Sequence, residues 1–216
     1  MIITIDGGVA SGKSAVGRRV AEALGLPFID SGLMYRAITK LASDRGIDPS
    51  DSEAVAGLAS SVTLNVEGDR VSADGVDITD GIYDADEMEA LPLISAIPAV
   101  RESLVRRQRE MAGNGVVMAG RDIGTVVFPD ADHKFFLTAS LEEKVRRRAA
   151  QYERRGENAD REAMRLEVEA RDRIDTQRKV APLKAAADAV LIDTDHLDVD
   201  QVVDAILEHV KQRQPW

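Results

Sequence analysis

Five short apolar runs, at residues 2–5, 27–29, 116–118, 134–137 and 189–192, stand out from the polar and mixed stretches around them. Each has the length of a strand and little of the alternation that marks a sheet with one wet face. Each therefore predicts a strand covered on both sides. Between the runs, apolar residues recur at helical spacing, as they do over residues 14–24. Strands that alternate with helices predict an α/β fold, a five-stranded parallel sheet flanked by helices. One stretch has a different period. Residues 62–78 alternate with a period near two, and Gly68-Asp69 and Asp74-Gly75 are hairpin-turn signals. The expectation is one domain over 1–216 with a small antiparallel β insert at about 60–82.

A second region departs from the pattern through charge. Residues 144–178 hold eleven Lys or Arg against eight Asp or Glu, and Arg154-Arg155-Gly156-Glu157-Asn158 reads as a break between two charged helices. Such helices are ordinarily solvated faces rich in i,i+4 pairs. Beside a phosphate site, the part at about 146–165 becomes an Arg-rich lid. The polar tail at 211–216 ends in Trp216, read as a packing or tail residue.

Composition narrows the function. At 216 residues, 44% hydrophobic and 31% charged, the chain can bury a sizeable core. No apolar run reaches the length of about 18 residues that spans a membrane. A strand that starts at residue 2 leaves no room for a secretory signal, so a cytoplasmic place is expected. The absence of cysteine excludes disulfides and thiolate chemistry, and three histidines argue against a histidine metal site or triad. A net charge of −10 argues against nucleic-acid binding. Any phosphate site must gather positive charge locally.

Such a site follows the first strand. Gly7, Gly8, Val9, Ala10, Ser11, Gly12, Lys13 and Ser14 fit G-x-x-x-x-G-K-[ST], with Ala15 continuing into the helix. Glycines let successive N–H groups converge on phosphate oxygens, and the helix N-terminus adds its dipole. Lys13 supplies a mobile charge to the outer phosphates, and the Ser14 hydroxyl is placed to ligate Mg²⁺. Three more clusters adjoin strand ends or share a helical face. Asp30-Ser31-Gly32-Leu33-Met34-Tyr35-Arg36 follows the second strand. Gly120-Arg121-Asp122-Ile123-Gly124-Thr125 follows the third. Arg171, Asp175 and Arg178 lie four and three apart on one helical face. Taken singly, each cluster also fits a helix cap or an ordinary ion pair. Together they suggest one site for an anionic, hydrogen-bonding substrate.

At this point the chain resembles the bacterial cytidylate kinases, which transfer phosphate from ATP to CMP or dCMP. The resemblance runs nearly end to end. It rests on Asp30-Ser31-Gly32 with Tyr35-Arg36, on Val100-Arg101-Glu102 with Arg106-Arg107-Gln108-Arg109, on the run from Gly120-Arg121-Asp122 to Val126-Val127-Phe128-Pro129-Asp130-Ala131, and on Arg171, Asp175 and Arg178 before Val180-Ala181-Pro182-Leu183. It implies a P-loop kinase core, with ATP on the Gly7-to-Ala15 loop and the insert on the monophosphate side. Ser31, Arg36, Arg101, Arg121, Asp122, Arg171, Asp175 and Arg178 would form the CMP site. Asp122 would accept from the cytosine amino group and Arg101 donate to the ring. Arg171 and Asp175 would hold the sugar, with Arg36, Arg121 and Arg178 around the monophosphate. Lys13, Arg121, Arg178 and the lid residue Arg147 would stabilise the transferring charge, and Arg154 would meet ATP. A monomer acting on small molecules alone is implied.

Two positions depart from the family pattern. Ala119 stands where an acidic residue often precedes Gly-Arg-Asp. Pro92 stands where a base-contacting serine is common, with Ser95 three residues on. Two rivals remain open from the residues alone. One is another small-molecule kinase on the same core, such as a UMP/CMP, adenylate or shikimate-type kinase. The other is a nucleotide-dependent switch, although no Asn-Lys-x-Asp guanine-reading motif occurs.

Overall fold

In the computed structural model, the first apolar run becomes β1 (Ile2–Gly7), with Ile3, Thr4 and Ile5 wholly out of solvent. The structure describes residues 1–216 except Asp84, Arg155, 157–159 and 214–216, and for 85–88 the backbone alone. The predicted break at 154–158 and Trp216 therefore lie partly or wholly outside the described residues. After β1 come α1 (Lys13–Leu24), β2 (Phe28–Asp30), α2 (Ser31–Asp44) and α3 (Ser52–Ser61). Then follow β3 (Leu64–Glu67), β4 (Arg70–Ala73), β5 (Val76–Asp77), α4 (Ala85–Ala96), α5 (Pro98–Met111) and β6 (Val116–Gly120). A π-helical turn (Ile123–Val127) leads to β7 (His133–Thr138), α6 (Leu141–Arg154), α7 (Arg161–Gln177), β8 (Val190–Asp193) and α8 (Val199–Arg213).

The five strands β2-β6-β1-β7-β8 form one parallel sheet in that order. All five apolar runs are strands, as expected. The second starts at Phe28, one residue after the expected Pro27. Proline has no N–H for the ladder, but the Pro27 carbonyl still accepts from Val117 at 2.9 Å. The chain goes from β1 outward to β2 on one side and later adds β7 and β8 on the other. The C-terminal ends of β1, β2 and β6 thus open on one edge, where doubly wound sheets bind ligands.

The period-two stretch forms a separate three-stranded antiparallel sheet, β3-β4-β5. Leu64, Val66, Val71 and Ala73 turn inward to join an apolar cluster with α2, α3, α4 and α5. A second cluster joins β1 and β7 to α1 and α8. α6 and α7 pack mainly on each other. Among their described residues only Ala149, Met164 and Val168 are buried apolar groups.

Candidate active site

The loop after β1 is shaped by its glycines. A Cβ on Gly7 would lie 2.6 Å from the Leu137 carbonyl, so the backbone approach admits no side chain there. Gly12 precedes α1 with φ 89°, in the left-handed region that glycine tolerates. Ala10 takes φ 52° without that freedom, a strain found at functional loops. Val9, Ala10, Lys13 and Ser14 face a cleft of about 760 Å³, a volume suited to small-molecule ligands. Ser11 is buried against Gly7, and Ala15 is exposed on the first turn of α1.

Lys13 is 8% exposed and donates to the Gly8 carbonyl at 2.9 Å. Burial, with the Arg121 guanidinium nearby, pushes its ammonium down to about 7. Ser14 Oγ donates to Asp30 Oδ2 at 2.5 Å. The other Asp30 oxygen caps α2 by accepting from the Gly32 N–H at 2.9 Å. A hydroxyl beside a carboxylate is a hard-oxygen pair of the kind that suits Mg²⁺. Among the described residues no group of three or more acidic, His or Cys side chains could by itself hold a metal. Mg²⁺ usually keeps several waters and takes one or two protein oxygens plus substrate phosphate, so Ser14 and Asp30 fit it.

β6 and the turn after it carry the next group. Asp6, at the end of β1, accepts from the N–H groups of both Ile123 and Gly124 at 2.8 Å. This bond pair holds the π-helical turn and hence Asp122 just before it. Burial raises the Asp6 carboxyl to about 6 against the pull of those two N–H groups. Asp122 pairs with Arg101 of α5, and both are 4% exposed. Arg101 Nη1 also donates to the Ser95 carbonyl at 2.9 Å, and its guanidinium lies 5.3 Å from the Tyr35 ring centre. Ser31 Oγ donates to the Ala119 carbonyl at 2.9 Å, so Ala119 contributes backbone here. Arg36 lies over the Tyr83 ring at 4.7 Å.

α7 brings a buried carboxylate to the same place. Asp175 is fully buried, and its Oδ2 accepts from Arg121 Nε at 2.8 Å and Arg171 Nε at 3.3 Å. Burial pushes this carboxyl up, but Arg121 and Arg171 outweigh it and leave the group below the usual range. Asp175 Oδ1 and Arg178 Nη2 are buried without hydrogen-bond partners. Arg178 Nη1 lies 3.6 Å from Asp175 Oδ1, and Arg178 Nη2 lies 3.6 Å from Asp122 Oδ1. Asp175 Oδ1 and Arg178 Nη2 thus carry unmet hydrogen-bonding capacity within one polar cluster behind the cleft.

Most residues singled out from sequence therefore converge. Arg36, Arg101, Arg121 and Asp122 line the cleft with Lys13 and Ser14, as do Ser31, Arg154, Arg171 and Arg178, and Asp175 closes it from behind. Arg147 lies elsewhere, on the flank of the loop. Its guanidinium donates to the Ser11 carbonyl at 3.3 Å, to Thr194 Oγ1 at 2.9 Å and to the Thr194 carbonyl at 2.7 Å. Arg148, one residue on, lines the cleft and is held by Glu167 at 2.6 Å. Sequence reasoning did not single out Asp6, Arg148, Lys144 or Asp172. Asp172 lies next to Arg171 but on another face of the helix, and its carboxylate touches the loop after β1.

A parallel sheet of this order, with a phosphate-binding loop after its central strand and arginines at the neighbouring strand ends, defines a P-loop kinase fold. A gluconokinase from Sinorhizobium meliloti 1021 shares that fold, with a TM-score of 0.50 and 16% identity over 97% of this chain and 91% of that one. The cytidylate kinase family profile matches residues 3–212, and the chain belongs to that family. A cytidylate kinase from Pelotomaculum thermopropionicum is 46% identical over 96% of this chain and 95% of its own length. One from Mycobacterium avium is 44% identical over 99% and 96%.

Proposed function

We propose that the chain transfers the γ-phosphoryl group of ATP to CMP or dCMP, giving ADP and CDP or dCDP. The observation that carries this reading is one cleft shared by Lys13 of the phosphate loop and the buried Arg101–Asp122 pair. Asp122 Oδ2 is engaged by Arg101, while Oδ1 is left able to accept from the cytosine N4 amino group. Arg101 then offers its remaining donor capacity to the ring acceptors. Uracil would set a carbonyl against the carboxylate, and a buried unpaired acceptor disfavours UMP. Pro92 brings no side-chain hydroxyl to the base. Ser95 lines the cleft and fixes Arg101 through its carbonyl, so the backbone supports base reading at the place where a serine side chain is common in the family resembled.

Asp175 Oδ1, which lacks a hydrogen-bond partner, would accept from a sugar hydroxyl once the cleft is occupied, with Arg171 beside it. Arg36, Arg121 and Arg178 surround the monophosphate. That phosphate is ionised near neutral pH, so its oxygen attacks the γ-phosphorus without a strong general base, and ADP leaves with the β–γ bridging oxygen. Lys13 and the arginines neutralise charge that develops in transfer, which is where such sites gain most of their rate. Mg²⁺ held by Ser14 and Asp30 would supply further charge neutralisation on the phosphates. α6 and α7 serve as a lid over about 146–165 on a single domain, excluding water that would otherwise accept the phosphoryl group. Arg154 and Arg147 act from that lid, Arg147 by bracing the loop through Ser11. A monomeric cytoplasmic enzyme that binds no nucleic acid goes with this reading, and the net charge of −10 supports the last point. Among the described residues no helix is long and apolar enough to cross a membrane.

The test is ADP release from ATP–Mg²⁺ with CMP, dCMP, UMP, AMP, GMP and shikimate in parallel. Turnover with CMP and dCMP, and weak turnover with the rest, is expected. Comparable UMP turnover would overturn the Arg101–Asp122 base reading. ADP release independent of any acceptor would overturn the kinase reading in favour of a switch.

A further inference from the structure

Asp172 is placed where no sequence motif asked for a carboxylate. It projects from α7, and its Oδ1 accepts from the Val9 N–H of the phosphate loop at 3.0 Å. Its Oδ2 accepts from Lys144 Nζ of α6 at 2.6 Å. The pair rests directly on the loop. A Cβ on Gly8 would meet Asp172 Oδ1 at 2.8 Å and Lys144 Nζ at 3.1 Å. Neither partner is an ordinary surface charge, since the side chains are 23% and 16% exposed.

The loop's N–H groups are built to receive phosphate oxygens, and a carboxylate oxygen matches a phosphate oxygen in charge and acceptor geometry. Asp172 thus occupies, at Val9, a backbone donor of the kind that phosphate oxygens take in such loops, and brings the Lys144 ammonium beside it. Arg171 and Asp175 of the same helix, with Arg178 just past its end, face the other half of the cleft. One rigid element therefore touches both halves.

We infer that Asp172 is a phosphate surrogate, a positioning residue that docks α7 on the loop until a nucleoside triphosphate takes over its bonds to Val9 N–H and Lys144 Nζ. The inference rests on the kinase reading for the identity of the acceptor and on the loop alone for the triphosphate. When the triphosphate arrives, its negative charge competes with Asp172 for both donors. Lys144 passes to the phosphate, and α7 is released to settle around the acceptor. Occupancy of the donor loop is thereby communicated to Arg171, Asp175 and Arg178.

The surrogate has a signature that a purely structural contact lacks: its two partners respond in opposite directions. Binding of a non-hydrolysable ATP analogue with Mg²⁺ is measured by calorimetry for the native chain, Asp172→Asn and Lys144→Met. Circular dichroism and melting temperature establish that each variant is folded. Asp172→Asn removes a competitor, so analogue affinity should rise by about ten-fold or more, the effect of one charge-assisted hydrogen bond lost from the competing state. Lys144→Met removes a cation that the phosphate inherits, so affinity should fall by a similar factor. CMP should tighten analogue binding in the native chain, and that coupling should shrink in Asp172→Asn. In steady state, Asp172→Asn should show a lowered KM for ATP together with a lowered kcat. Weakened analogue binding in both variants would overturn the inference and leave Asp172 as an anchor for Lys144. Unchanged binding in both would overturn it too. If the native chain fails to phosphorylate CMP, the kinase reading falls, but the opposite shifts in triphosphate affinity still test the surrogate.

Discussion

Burial and the neighbouring Arg121 hold the Lys13 ammonium down at about 7 in the free protein. Phosphates beside it favour the charged form and raise it again. Between these two values the complex carries a proton that the free protein lacks. Apparent ATP affinity must therefore fall as pH rises above about 7, with binding accompanied by proton uptake. Calorimetry at pH 8 in two buffers of different ionisation enthalpy reads that uptake directly. No uptake would mean that the Lys13 ammonium is already charged in the free protein. The lysine itself was plain in the sequence, because its role follows from a spacing that few structures other than a phosphate loop require. The choice between Arg147 and Arg148 was not. Adjacent helical residues point about 100° apart, so which one enters the cleft depends on how α6 is rotated about its axis. Asp172 escaped notice for the same reason, since its neighbour Arg171 lines the cleft while Asp172 turns to the loop.

Among the elements, the turn between β6 and β7 determines where Asp122 sits. Its N–H groups are held by Asp6 from the neighbouring strand, and no local propensity announces a π-helical turn. Gly124 makes that packing possible. A Cβ there would meet Thr4 Oγ1 at 2.8 Å, Asp6 Oδ2 at 3.3 Å and Lys134 Cδ at 3.3 Å, with no room to move in a buried layer. Gly124→Ala should therefore destabilise by about 1–3 kcal/mol, as overpacking does in closed cores. It should also raise KM for CMP more than KM for ATP, because the turn carries Asp122 while the phosphate loop stands on β1. Urea unfolding and steady-state kinetics check both parts, and equal change in the two KM values would detach the turn from base recognition. The strands themselves were legible, since apolar runs of that length have few alternatives, and so was the insert from its period of two. Their order in space was not, because pairing of β1 with β6 and β7 joins residues more than a hundred apart that no local pattern connects.

Across the whole molecule, apolar burial is unevenly shared. One apolar cluster joins the insert to α2, α3, α4 and α5, and another joins β1 and β7 to α1 and α8. α6 and α7 contribute to neither. Polar bonds connect them to the body: Arg147 to Thr194 and Ser11, Asp172 to Val9, Asp175 to Arg121 and, through its carbonyl, to the Leu183 N–H at 2.8 Å. Apart from those of the buried Asp175, these polar bonds are half-buried and add far less net stability than the apolar layers elsewhere. We therefore expect the helix pair to open first, and on the proposed reading several of its attachments are groups that nucleotides would engage. Hydrogen exchange should show amides of α6 and α7 exchanging orders of magnitude faster than those of β1 and β6 in the free protein. CMP with a non-hydrolysable ATP analogue should slow exchange in both helices while leaving the central strands unchanged. Raising the salt concentration should speed exchange in α6 and α7 selectively, because screening weakens ion pairs and leaves apolar packing intact. Equal protection of the pair and the sheet in the free protein would mean a rigid roof instead of a lid, and water would then have to be excluded by the substrates alone.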